Sequence, residues 1–234
     1  MALAGLLFDK DGTLIHFNAT WNPAVLEVMR RQSGGDLLIL QRLAVALNYD
    51  LDSGGFRQGA AFVAGTWDDY GRAWAQALGR VNDKTFEDET NALLNEVCVK
   101  VLVPVGDPVH VLAGLRARGL HLGIATNDSE LAATAQASAL GLTNHLCYIA
   151  GYDSGFGPKP GPGMVHGFAE HLNVDVSQIA LIGDSVHDMR SARNAGAVAI
   201  GVLTGHADAA ELAPYADHII GSIEELPALI ARLA

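Results

Sequence analysis

The stretch LFDKDGTL, residues 7–14, is an apolar run that stops at Asp9, places a second acid at Asp11 and turns at Gly12. Two carboxylates one residue apart at the end of a buried strand repel each other unless something gathers them. Working outward, the run as a whole covers residues 3–8, and further short apolar runs lie at 120–125, 146–150, 179–182, 198–203 and 218–220. Their hydrophobicity is continuous rather than alternating, the pattern of strands buried on both faces. Helical periodicity fills the gaps over 109–118, 130–140, 162–171, 186–195 and 223–233. Strand alternating with helix predicts an α/β fold with a parallel sheet and helices on both faces.

One segment breaks the alternation. From about residue 17 to 98 only helix-like patterns occur, at 23–32, 37–47, 66–78 and 86–97, separated by turn-rich pieces such as SGG at 33–35 and DSGG at 52–55. The expected organisation is a core of residues 1–15 and 99–234, with an all-helical insertion over 16–98. With 234 residues, half of them hydrophobic, the chain can bury a sizeable core.

A formal net charge of −11 with no basic block argues against a nucleic-acid surface. Cys98 and Cys147 have no metal-ligand spacing and read as reduced thiols. The first apolar run is too short for a signal peptide and nothing reaches a transmembrane length, so a cytoplasmic protein with no membrane partner is expected. Oligomeric state is left open by the sequence.

In open α/β sheets ligands bind beyond the carboxyl ends of the strands. The residues at those ends form a coherent set: Asp9 and Asp11, then Thr126 and Asn127, then Asp184 with Asp188 four residues later, and Lys159 in the loop GFGPKPGP. Taken singly, each has an ordinary explanation as a turn residue, a helix cap or a surface lysine. Together they need a cation, and oxygen-only ligands with room for water favour Mg²⁺. Lys159, Thr126 and Asn127 add donors suited to a phosphoryl group, so the set reads as a phosphate site built around a metal.

FDKDGTL, ATND, GPKPGP and GDSVHD, in this order and over essentially the entire chain, resemble the haloacid dehalogenase superfamily, in its phosphatase branch with a helical cap after the first strand. The resemblance implies a Rossmann-like core and a phosphoglycolate-like phosphate monoester as substrate. It implies Asp9 as the nucleophile that forms an aspartyl-phosphate and Asp11 as the general acid/base. Thr126 and Asn127 would hold phosphoryl oxygens and Lys159 would neutralise charge. Mg²⁺ would be held by Asp9, the backbone carbonyl of Asp11 and Asp184, with Asp188 in support. Dehalogenases of the superfamily lack an acid at the second position, so Asp11 favours phosphate-ester hydrolysis.

Lys10 departs from the apolar residue most often found between the two aspartates, and His187 is an unusual presence in the fourth motif. Other readings are a phosphosugar mutase with the same motifs, a receiver-like module phosphorylated on Asp9, or an inactive phosphate-binding protein. Substrate choice is expected to lie in the insertion. Its candidate cations for a second anionic group are Arg30, Arg31, Arg42, Arg57 and Arg72, with Arg57 in SGGFRQG preferred, and His16 and Phe17 stand as hinge candidates.

Overall fold

The computed structural model describes residues 3–233. Strand β1 (Gly5–Phe8) leads into α1 (Phe17–Ser33), α2 (Leu37–Ala46), the strands β2 (Tyr49–Asp50) and β3 (Gly55–Phe56), α3 (Trp67–Ala77) and α4 (Lys84–Cys98). Alternation follows: α5 (Pro108–Arg116), β4 (His121–Ala125), α6 (Glu130–Ala139), β5 (Tyr148–Ala150), α7 (Gly163–Leu172), β6 (Ile179–Gly183), α8 (Val186–Ala195), β7 (Val198–Val202), α9 (Ala209–Leu212), β8 (His218–Ile220) and α10 (Leu226–Leu233). Two compact units result, one ending at His16 and resuming at Pro104, the other Phe17–Val103.

The first unit is built on a six-stranded sheet of order β5-β4-β1-β6-β7-β8, with every pairing parallel. Side chains alternate across each strand. Leu6 and Phe8 join Leu122, Ile124, Ala180, Ile182 and Ile200 in a cluster that also takes Leu112, Leu115, Ala133, Ala137, Leu229 and Ile230 from α5, α6 and α10. Leu7 goes to the other face with Leu181 and Ala199, against Met164 and Phe168 of α7, Met189 of α8 and Leu212 of α9. Helices therefore cover both faces, which is why the strands read as unbroken apolar runs. The chain leaves β1 toward β4 on one side and returns to β6 on the other, so the crevice of an open sheet falls at the carboxyl end of β1.

The second unit packs α1 to α4 around aromatic side chains. Trp74 is fully buried. Its indole N–H donates to Gln32 Oε1 at 2.6 Å, and the ring of Phe62 stacks on Phe56 at 5.0 Å and meets Trp21 edge-on at 5.4 Å. Three expectations are corrected here. The unit is not all-helical: Tyr49–Asp50 pairs antiparallel with Gly55–Phe56. Helix α1 starts at Phe17 rather than residue 23, because Pro23 is tolerated inside it and Phe17 is buried against Phe56 at 6.0 Å. Residues 99–103 belong with the helices and not with the core, since the Val103 N–H donates to Thr20 Oγ1 at 3.0 Å. Among the described residues, no helix is long and apolar enough to cross a membrane.

Trp74→Ala should lower stability by about 3–5 kcal/mol, the usual cost of truncating a buried tryptophan. Urea titration checks this, and a loss within experimental error of zero would contradict the packing described.

Candidate active site

The site grows from the end of β1. Asp9 donates its N–H to Ile182 O at 2.7 Å, which carries the ladder one residue past the strand. The chain then turns, with Lys10 O accepting from the N–H groups of Leu14 and Ile15 at 2.8 and 3.1 Å. Gly12 makes this turn with φ +82°, and a Cβ there would lie 2.5 Å from the Asp184 carboxyl. Both backbone and space therefore require glycine.

Asp9 is 6% exposed and Lys159 5%. The Lys159 ammonium donates to Asp9 Oδ1 at 2.5 Å, Asp188 Oδ1 at 2.6 Å and Ala125 O at 3.0 Å. Its loop is held by Asn127, whose Oδ1 accepts the Lys159 N–H at 2.8 Å and whose amide donates to Lys159 O at 3.0 Å. Thr126, buried beside it, accepts the Asp128 N–H at 3.1 Å. The loop's return into α7 needs Gly163, because a Cβ there would meet Phe156 O at 1.9 Å.

Asp184 directly follows β6, and Asp188 sits on the first turn of α8 in a capping box. Ser185 donates its hydroxyl to Asp188 Oδ2 at 2.5 Å, and its own oxygen accepts the Asp188 N–H at 3.3 Å. One Asp188 oxygen thus fixes the helix start and the other accepts from the Lys159 ammonium. A further segment, not singled out in the sequence, closes over Asp184. The His206 N–H donates to Asp184 Oδ2 at 3.2 Å, and the Thr204 hydroxyl donates to Gly12 O at 2.6 Å. A Cβ on Gly205 would fall 1.6 Å from Asp184 Oδ2. The only sequence signal was a Thr-Gly-His run just past a strand end.

One carboxylate oxygen from each of Asp9, Asp184 and Asp188 lies within 4.8 Å of the other two. Three buried carboxylates face one ammonium, leaving two uncompensated negative charges. Burial pushes the Asp9 carboxyl up to about 7 despite Lys159, with Asp188 and Asp11 adding to the rise. Burial, then Asp9 and Asp188, push Asp184 well above the ordinary range. Burial alone would lower Lys159, but Asp188 and Asp9 hold it above its usual value. Oxygen-only donors carrying excess negative charge fit a hard divalent cation such as Mg²⁺.

Other candidates fall outside the trio. The Asp11 carboxylate pairs with Lys10 at 2.5 Å. His187 Nδ1 stands 3.5 Å from Lys159 O and is not in the cluster. Arg57 is paired with Asp50 at 3.3 Å on the β2–β3 hairpin.

Comparison with known proteins gives the chain a family and a fold. The family model of the haloacid dehalogenase-like hydrolases matches residues 3–196. The chain belongs to that family. It is 36% identical over 119 residues to a phosphoglycolate phosphatase of Neisseria meningitidis, covering 49% of this chain and 51% of that one. The match therefore spans about half the length of that relative. A phosphoglycolate phosphatase of Rhodospirillum rubrum is 29% identical over 198 residues, 82% of this chain and 76% of that one. A candidate β-phosphoglucomutase from Thermotoga maritima superposes with a TM-score of 0.68 at 18% identity, over 99% of this chain and 100% of that one.

The raised Asp9 carboxyl makes a pH prediction for the protein in EDTA. Folded, this group keeps its proton to about pH 7, whereas unfolded it releases it near 3.8. Its favourable contribution to folding is therefore complete below the unfolded value and is lost as pH rises through about 7. Asp9→Asn should raise Tm at pH 8 and change it little at pH 4. A pH-independent Tm difference would contradict the assignment.

Proposed function

We propose that the chain is a Mg²⁺-dependent phosphatase of small phosphate monoesters, phosphoglycolate-like in size and charge, acting through Asp9. The observation that carries this reading is the buried Asp9–Lys159–Asp188 ion triple with Asp184 beside it. The names of the Neisseria and Rhodospirillum relatives support phosphoglycolate as the first substrate to try.

In this reading the Asp9 carboxylate attacks phosphorus in line while the ester P–O bond breaks. Asp11 gives its proton to the departing oxygen. It then takes one from a water that attacks the aspartyl-phosphate, which releases phosphate and restores Asp9. Lys159 offsets charge on the nucleophile and on the transferred group. Thr126, whose oxygen accepts from Asp128, turns its own O–H to a phosphoryl oxygen. Asn127 acts through Lys159, whose backbone occupies both ends of its amide. Asp9, the Asp11 carbonyl and Asp184, with Asp188 alongside, would hold Mg²⁺, which would supply positive charge against carboxylates and phosphoryl oxygens.

The same proposal gives substrate selection to the helical unit Phe17–Val103 and takes a free cytoplasmic metabolite as substrate. Hydrolysis is preferred to phosphosugar mutation because the mutase resemblance is one of fold alone, at 18% identity.

Phosphate release from phosphoglycolate, sugar phosphates, nucleotides and pyrophosphate, with Mg²⁺ or with chelator, tests the proposal. Mg²⁺-dependent release that falls to background in a folded Asp9→Asn variant is expected. Transfer between the hydroxyls of one sugar phosphate, without free phosphate, would replace the phosphatase by a mutase.

A further inference from the structure

Lys10 lies between the two acids of the opening stretch, yet it is 1% exposed. Its ammonium donates to Asp11 Oδ2 at 2.5 Å and to Gln136 Oε1 at 2.7 Å. It also stands 3.2 Å from Asp128 Oδ2, an ion-pair contact rather than an aligned hydrogen bond. Both further partners are rigidly placed. Gln136 is fully buried on α6, and Asp128 accepts the Ser129 N–H at 2.7 Å where that helix begins. Asp128 also follows Thr126 and Asn127 in the loop after β4, the strand paired directly with β1.

An ammonium is buried only where oxygens replace its lost hydration. Here those oxygens come from the residue after it, from the next strand's loop and from the helix that the loop starts. An apolar side chain at position 10 would fill the same volume and leave Asp11 without this tether. Asp11 is 17% exposed, so its carboxylate reaches solvent while one oxygen is held from behind. Its charge is close enough to raise Asp9.

We propose that Lys10 is a positioning residue that fixes the Asp11 carboxylate by tying it to Asp128 and Gln136. This rests on the reading of Asp11 as the group that meets the leaving oxygen. Small misplacements of such a group are costly, on the order of a hundredfold for about 1 Å.

The test compares an alkyl phosphate, whose alkoxide needs a proton to leave, with p-nitrophenyl phosphate, whose phenolate departs without one. Lys10→Met should lower the ratio of alkyl to aryl kcat/KM by about 10–100-fold, within the range that general acid catalysis contributes. Asp11→Asn should show the same skew, and adding Lys10→Met to it should move the ratio no further. Because Lys10→Met strands the buried Asp128 Oδ2, Lys10→Met/Asp128→Asn serves as a second variant, with its fold checked by circular dichroism. Equal loss on both substrates, an unchanged ratio in the folded double variant, or a further skew in the Asp11→Asn background would overturn the proposal. If the unmodified protein releases no phosphate from either ester, the phosphatase reading fails instead.

Discussion

The Lys159 ammonium, held between Asp9 and Asp188 in a buried site, is the constraint on which the arrangement of the first unit turns. A lone cation at that depth would lose its charge, and two carboxylates there would take up protons. The carboxylates keep the lysine charged, the lysine offsets part of the rise that burial imposes on Asp9, and the elements around them keep the contact. Asn127 grips the lysine's backbone from the end of β4, Ser185 fixes Asp188 at the start of α8, and the ladder bond from Asp9 to Ile182 sets the nucleophile candidate between them. The ends of β1 and β6 and the loop after β5, braced by Asn127 from the end of β4, thus deliver one charge cluster.

Close approach, rather than charge, explains the glycines. Around Asp184 and Asp188 the chain passes so near that a single Cβ on Gly12, Gly183 or Gly205 would fall between 1.6 and 2.5 Å from a carboxylate atom. The carboxylates are therefore walled by bare backbone, and the loop after β7 adds a direct hydrogen bond from the His206 N–H to Asp184. Such walls leave little room for side-chain reorganisation, the condition under which fixed dipoles and charges contribute most to a reaction.

The core was legible in the sequence because the central strands β1, β4 and β6 are apolar runs that stop at Asp9, Thr126 and Asp184, so their boundaries mark themselves. Asp188 was legible as a first-turn acid of α8, while the residue that caps that helix is Ser185. What stayed hidden depends on contacts between distant residues. Asn127 bonds to the Lys159 backbone 32 positions away, and Lys10 to Gln136, 126 positions away. Local signals also misled: Pro23 reads as a helix start but lies inside α1, and two-residue strands are too short to show any period.

If the charge cluster exists to make Asp9 a nucleophile, phosphorylation of that residue is the event to observe. Enzyme mixed with phosphoglycolate and Mg²⁺, quenched in acid and reduced with borohydride, would convert an acyl phosphate at Asp9 into homoserine. Peptide mass mapping would then show homoserine at position 9, and none when substrate is omitted. Turnover with an unmodified position 9, or with the reduced residue at Asp11, would contradict covalent catalysis by Asp9.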